Sequence, residues 1–201
     1  AADVLIDFSN ANALTNLLAF AVNAGMPLVL CTTGYTEEEI SAIAEAAKLI
    51  PILRSANMSL GINVMQQLVA MAARVLGDGY DVEIIEKHHR QKLDSPSGTA
   101  LMLYDSVKAT RDKEPTAVYG RCGRSAKRAG NEIGIHAIRG GTVTGEHEVG
   151  FYGNAEELLI THRSESRALL AEGALRAARY LVGKPAGQYT MRDVVTEMLA
   201  K

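Results

Sequence analysis

Cysteine is scarce: Cys31 and Cys122 are the only two, and they lie far apart. A disulfide-stapled secreted scaffold is excluded. Two free thiols in a reducing cytoplasm are expected, with a single bridge between them as the alternative. Charge of one sign is lacking too. The formal net charge of -2 gives no electrostatic argument for nucleic acid or an anionic membrane as a partner. No apolar run approaches the roughly 18 residues of a membrane span. Leu14 to Val22 is apolar on one helical face only, with no basic segment or cleavage site before it, so a signal peptide is not supported. Internal repeats and low-complexity tracts are absent. The sequence also has no initiator Met: it opens Ala1-Ala2-Asp3 and runs at once into Val4-Leu5-Ile6-Asp7-Phe8, an apolar strand pattern. A domain seldom begins inside a central strand, so a fragment, or a chain whose earlier part has been removed, is expected. What remains is ordinary for a globular protein. Its 201 residues, 47% hydrophobic and 22% charged, are enough for one large or two small domains.

The first 59 residues alternate strand and helix. Val4 to Phe8 predicts a strand and Ser9 an N-cap. A helix then runs through Leu14, Leu17, Leu18 and Ala21 and stops at Gly25. Pro27 to Cys31 predicts a second strand. Thr36 and Glu39 form a T-x-x-E capping box for a helix carrying Ile40, Ile43, Ala44 and Ala47, and a third strand spans Ile50 to Arg54. Short loops between such elements mean parallel strands in a doubly wound sheet, with ligands at the carboxyl ends of the strands. Those ends read Phe8-Ser9, Cys31-Thr32-Thr33 and Ser55-Ala56-Asn57-Met58. All three are small and polar, which fits either a cofactor approached by backbone or plain βα turns.

A long helix follows from about Ile62 to Leu76, and then the pattern changes. Strands are predicted at Asp81 to His89, Ile133 to Ile138, Thr144 to Tyr152 and Glu157 to His162. Arg139-Gly140-Gly141-Thr142-Val143 reads as a hairpin between the second and third, and Gly153-Asn154 as a turn between the third and fourth. This predicts a mixed or antiparallel sheet in a second, α+β domain. Helices resume at Ser166 to Leu181 and at Met191 to Leu199, the latter capped by Thr190. The domains expected are 1-59 with 170-201, dinucleotide-binding, and 60-169, for substrate and assembly. Gly120 to Gly130, with Arg121, Arg124, Lys127 and Arg128, is expected as a solvated mobile loop, the alternative being a phosphate-contacting one.

Reactive groups concentrate in Glu86 to Ala100. His88 and His89 stand where the apolar strand Val82-Glu83-Ile84-Ile85 gives way to a polar loop. Alternation sends them to opposite faces unless the strand ends there. An imidazole can donate a proton near neutral pH, and Lys92 adds a compact cation. Ser97-Gly98-Thr99 opens a helix whose free N–H groups favour a carboxylate or phosphate. An acid, a cation and an anion cradle point to a small anionic substrate that gains a proton, although histidines and capped helices also occur in inert loops. A metal site is not expected, because adjacent histidines are poorly spaced for one ion and no Cys or paired carboxylate completes a set. Ser97 lacks a nucleophile elbow. His136, His147 and His162 fall on strands and are expected to be structural.

The run Glu86-x-His88-His89-x-x-Lys92-x-Asp94-Ser95-Pro96-Ser97-Gly98-Thr99-Ala100 closely resembles the signature of dihydrodipicolinate reductases. The likeness extends to Val4 to Ser9, Cys31-Thr32-Thr33-Gly34-Tyr35, Ser55 to Ser59, Arg139 to His147 and Met191-Arg192-Asp193-Val194, which together span nearly the whole chain. It implies a Rossmann-like sheet joined to a substrate and tetramerisation domain. The implied reaction is hydride transfer from NADH or NADPH to a cyclic imine derived from 4-hydroxy-tetrahydrodipicolinate, in lysine and diaminopimelate synthesis. It implies that His88 protonates the ring and that Lys92 assists while holding a carboxylate. By the same resemblance His89, Ser97, Gly98 and Thr99 bind the dicarboxylate. Cys31, Thr32, Thr33, Ser55, Ala56, Asn57 and Met58 line the nicotinamide, with Phe8 and Ser9 nearby. Two departures stand out. Cys31 occupies a position the family usually gives to Gly, and the glycine-rich phosphate turn is absent, about 60–70 residues being expected before Ala1 at the usual length of a βαβ unit. A truncated chain that only assembles or binds dicarboxylates is the competing expectation. A semialdehyde-reducing relative would need a catalytic Cys beside a His, a setting that neither cysteine has.

Overall fold

The structure, a computed structural model, describes residues 2–200. It divides into two compact units, Ala1–Asn63 with Ala168–Lys201, and Val64–Arg167.

The first unit is a parallel sheet in the order β1-β2-β3-β9, formed by Leu5–Asp7, Leu28–Leu30, Pro51–Arg54 and Gly187–Tyr189. Its strands carry apolar side chains on both faces, and each face has its own helices. Leu28, Leu30 and Ile52 point to the side packed by Leu14, Leu18 and Ala21 of α1 (Leu14–Asn23) and Ile43 and Ala46 of α2 (Glu37–Ala46). Val29 and Leu53 point to the other side. There they meet Ala174, Ala177 and Leu181 of α5 (Ala168–Leu181) and Met191 and Val194 of α6 (Met191–Leu199). Burial of this alternating set makes the sheet doubly wound, as the strand-helix rhythm predicts. The Thr36–Glu39 capping box forms as expected, and Asp193 accepts from the Thr190 N–H and hydroxyl at the start of α6. Ser9, however, is not an N-cap. Its N–H and hydroxyl both turn back to Asp7 Oδ1, and Asn10 instead caps a short 3₁₀ turn at Ala11–Ala13. Strand β9, three residues long, has too little pattern to be visible in the sequence.

The helix α3 (Leu60–Leu76) has its first residues in the first unit and the remainder in the second. With the turn after it, Leu60–Gly79, it is long and apolar enough to pass a length-and-composition test for a membrane span. Ile62, Met65, Val69 and Ala73 are buried on one face, whereas Val64, Leu68, Met71 and Val75 are exposed beside Arg74 on the other, so the helix is apolar nearly all round and packs by one side only.

The second unit is a mixed sheet in the order β5-β6-β4-β7-β8. Its strands are β4 (Asp81–His88), β5 (Thr116–Tyr119), β6 (Glu132–Arg139), β7 (Gly145–Tyr152) and β8 (Glu157–Ser164). The hairpin expected at Arg139 to Val143 does not form. β4 lies between β6 and β7, parallel to the first (Val82 opposite Ile133) and antiparallel to the second (Asp81 opposite Tyr152). The two glycines instead wrap the end of β4, Gly140 N–H donating to the His88 carbonyl and Arg90 N–H to that of Gly141. Strand alternation buries Val82, Ile84, Glu86 and His88 on one face. That face is covered by α4 (Gly98–Lys108), whose Ala100, Leu103 and Val107 are fully buried. The loop Gly120 to Gly130 is neither a freely solvated segment nor a phosphate clamp at its two inner arginines. Arg121 pairs with Glu132 and Glu83, and Arg128 with Asp81 and Glu83, which stitches the loop to the sheet. Arg124 and Lys127 remain exposed.

Candidate active site

At the carboxyl ends of β1 and β2, Asp7 is nearly buried and ties the strands together. Its Oδ1 accepts from Ser9 and its Oδ2 from the Thr32 hydroxyl at 2.8 Å. Behind Thr33, Gly34 adopts φ +84° with nothing within 4 Å of where a Cβ would stand, so the turn exposes backbone that a side chain would cover. At the end of β3, the Ser55 hydroxyl donates to the Asn57 carbonyl at 2.8 Å. Asn57 Oδ1 accepts from Ser59 N–H, and Asn63 Nδ2 donates to the carbonyls of Asn57 and Ser59. Met58 is buried in the core, beneath this turn. A backbone-lined shelf fixed by side-chain hydrogen bonds fits the flat, amide-bearing end of a nicotinamide. Cys31 does not obstruct it. Its side chain packs against the Val29–Leu53 cluster, and burial, aided by Asp7, pushes its thiol up to about 12, so it stays protonated and unreactive. Neither cysteine is bridged.

The signature segment lies wholly in the second unit. β4 ends at His88, and the break lets His89 leave the sheet. The two histidines therefore part. His89 lines a cleft of about 430 Å³ with Arg90, Gln91, Gly141, Thr142 and Arg167, whereas His88 stays on the buried face, 9% exposed. A second cleft, lined by Ser95, Pro96, Tyr119 and Ile135, is slightly larger, and neither His88 nor Lys92 lines either of the two.

Around His88 the structure gathers more than the sequence reading assigned. Glu86, two residues back on the same face and fully buried, accepts from His88 Nδ1 at 2.6 Å, from Ser97 N–H at 2.9 Å and from both terminal nitrogens of Arg139 at 2.7 Å. Burial works to raise the Glu86 carboxyl, but Arg139, His88 and the Ser97 amide outweigh it and hold it below the usual carboxylate range. His147, expected to be structural, stands edge-on to His88 with ring centroids 5.1 Å apart. Its Nε2 shares a hydrogen bond with the Ser97 hydroxyl at 3.2 Å. Its Nδ1 has no partner among the described residues, and burial, reinforced by His88, lowers its pKa to about 4. His136 is bound to Glu83. Lys92 pairs with Asp94 at 2.9 Å, close enough to both imidazoles to oppose their protonation. The start of α4 is only partly open to a ligand. The Ser97 N–H goes to Glu86 and the Ser97 hydroxyl accepts from Ala100 N–H. Gly98 has nothing within 4 Å of a would-be Cβ, and Thr99 follows it in the first turn.

Glu86, Arg139, His147 and Arg167 were the residues that sequence reasoning missed. The spacing of Glu86 from His88 was the one local signal, since two residues apart on a strand share a face. The others arrive through pairing across the sheet or around the cleft.

One glycine is set by this geometry. A Cβ at Gly145 would stand 3.2 Å from His88 Nε2, the nitrogen turned away from Glu86. Gly145→Ala is expected to lower kcat about tenfold by displacing the ring while the melting temperature stays put. An unchanged kcat, with the ring shown to be displaced by a shift of its NMR signals, would count against Nε2 as the working atom.

A parallel βα sheet with polar strand ends, carried with a second sheet that presents a hydrogen-bonded imidazole, suits one class of protein, the two-domain, dinucleotide-dependent oxidoreductases. The comparisons make this specific. Residues 1–58 match the family described as dihydrodipicolinate reductase, N-terminus, and residues 61–195 its C-terminus. A 4-hydroxy-tetrahydrodipicolinate reductase of Caldanaerobacter subterraneus subsp. tengcongensis is 52% identical over 96% of this chain and 77% of its own. The enzyme of the same name from Pseudomonas fluorescens is 49% identical over 96% and 73%. Among solved structures, a dipicolinate-bound dihydrodipicolinate reductase from Paenisporosarcina sp. TG-14 superposes with a TM-score of 0.75 over 94% of this chain and 71% of its own, at 22% identity. The chain belongs to the dihydrodipicolinate reductase family, and is thus a nicotinamide-dependent oxidoreductase of lysine and diaminopimelate biosynthesis.

Proposed function

We propose that the end of β4 is where this reductase, acting on 4-hydroxy-tetrahydrodipicolinate, holds its substrate and protonates it. The observation that carries the reading is the His88–Glu86 hydrogen bond at 2.6 Å. It fixes the imidazole with Nδ1 inward, so any proton delivered comes from Nε2. Bound NADH or NADPH supplies the hydride, and the strand ends 31–33 and 55–57 would hold its nicotinamide, with Met58 buried beneath them as support rather than as a contact. Hydride addition leaves an electron-rich enamine carbon that needs a positioned acid. His88 is that acid in this reading. Lys92, released from Asp94, meets one carboxylate, and Gly98 and Thr99 at the helix start take the same group or its neighbour. Arg90 and Arg167 supply cationic partners for the second carboxylate, and His89 in the same cleft supplies a hydrogen-bond donor. The units Ala1–Asn63 with Ala168–Lys201, and Val64–Arg167, take the cofactor-binding and substrate-binding roles respectively, within a few residues of the bounds expected from the sequence. The name of the Paenisporosarcina relative, bound to dipicolinate, supports a planar dicarboxylate as the ligand class. Half-exposed Leu158 and Leu159 on the edge strand β8, with Ile138 on β6, support assembly through this sheet, as a homotetramer.

The test is direct. Given the imine substrate, the purified chain should consume reduced nicotinamide with at least one of NADH and NADPH. Dipicolinate should compete with the substrate. No consumption with either cofactor would overturn the reading.

A further inference from the structure

Glu86 is a carboxylate in the least accessible position of the site, and a carboxylate can only accept hydrogen bonds. Nδ1 of His88, 2.6 Å from Oε2, must therefore carry a proton, and the neutral ring keeps its lone pair on Nε2. If Glu86 faced His88 alone, a buried anion at this distance would draw a second proton onto the ring. It does not face it alone. Arg139 of β6 approaches the same carboxylate with two nitrogens at 2.7 Å, and its Nη2 also donates to the Asp94 carbonyl. The fork-to-fork geometry is the strong form of this pairing, and it shares out the charge that His88 would otherwise feel. The remaining charged or titratable neighbours are His147 on β7, with His162 of β8 behind it, and Lys92 with its partner Asp94 in the loop after β4. None adds an unshared negative charge.

We propose that Glu86 and Arg139 form a positioning pair behind His88: Glu86 pins the ring with Nδ1 inward, and Arg139 divides the charge of Glu86, so that Nε2 receives its proton only when the dicarboxylate is in place. This rests on the reading of His88 as the proton donor. The balance is simple: one proton passes from solvent to Nε2 as the dianion binds, and that proton then goes to the ring carbon, leaving the Nδ1–H tautomer restored. Burial, with Lys92 and Arg139, already pushes the free His88 imidazolium below its ordinary range, against the pull of Glu86. Two substrate carboxylates engaging Lys92 and the cleft cations would remove that opposition. The pair is a device for charging the acid on demand.

The test needs neither turnover nor cofactor, so its failure is distinct from failure of the reductase assay. Histidine-labelled protein, with His88 assigned by the loss of its signals in His88→Gln, is titrated by nitrogen-15 NMR without ligand. The wild type should show His88 as the neutral Nδ1–H tautomer near neutral pH, and saturating dipicolinate should convert it to imidazolium. Arg139→Gln should raise the midpoint of the free protein by about one unit or more, and Glu86→Gln should lower it. Opposite movements are the signature, because a merely structural role would shift both variants alike or neither. An Nε2–H tautomer in the wild type, no protonation on adding dipicolinate, or equal shifts in the two variants would each overturn the proposal. Should either variant fail to fold, the wild-type tautomer and its response to dipicolinate decide alone.

Discussion

Replacing His88 by Gln is expected to lower kcat by about 10²–10⁴-fold, the usual worth of a positioned general acid, with dipicolinate affinity weakened by about tenfold at most, the share of the charged ring, and little change in melting temperature. Gln is close in length and its amide can still donate to Glu86 Oε2, which now receives the His88 Nδ1 hydrogen bond. The Arg139 and Ser97 bonds to that carboxylate then have no reason to rearrange. What disappears is a second, ionisable nitrogen facing away from Glu86. Steady-state rates, with competitive dipicolinate inhibition measured in parallel, separate the two effects. A kcat within about twofold of wild type would remove His88 from the chemistry, because a residue worth so little cannot be the acid. A large loss of affinity with an unchanged kcat would make it a binding residue instead.

The second large effect is on stability, in the other unit. Gly173 lies in α5 where the helix crosses the segment after β3, and a Cβ there would stand 1.7 Å from the Met58 carbonyl oxygen. Backbone cannot swing aside as a flexible side chain can. Met58 is also anchored, since its side chain is buried and the residues on either side, Asn57 and Ser59, are hydrogen-bonded. Gly173→Ala is therefore expected to cost about 3 kcal/mol and to lower the melting temperature by roughly 5–10 °C. The loss outweighs the gain in helix propensity of about 1 kcal/mol that Ala would otherwise bring. Gly79→Ala, where nothing stands within 4 Å, is the control and should leave the melting temperature unchanged. If Gly173→Ala melts as the wild type does, the close approach of α5 to Met58 is wrong. Because Met58 underlies the proposed nicotinamide shelf at Ser55 to Asn57, the folded fraction of the variant should show a raised KM for cofactor.

These expectations differ in how far they could be read from the chain alone. The βα rhythm of the first unit was legible because each element carries its own pattern: an apolar strand, an amphipathic helix, the Thr36–Glu39 box. The signature run pointed to the proposed site for the same reason, being continuous in sequence. The rest depends on pairing between distant segments. Nothing near Arg139 says that its side chain crosses to Glu86, and nothing near His147 says that its ring meets His88, because both follow from β4 lying between β6 and β7. The Arg139–Gly140–Gly141 turn looked like a hairpin because local turn chemistry is the same whether the next strand pairs with the last one or with another. Ser9 looked like an N-cap because nothing in the sequence reveals that Asp7 claims it.

The central place of β4 also bears on how the protein comes to exist. Val82 must wait for Ile133, and Asp81 for Tyr152, so the strand bearing the signature histidine leaves the ribosome well before either neighbour is made. Such long-range closure slows folding, and meanwhile two unpaired ladders of amide groups lie open to other nascent chains. Raising the output of this polypeptide is expected to favour aggregation through that unpaired strand. Lower growth temperature during synthesis, rather than any change at the catalytic end, is the remedy that this topology recommends.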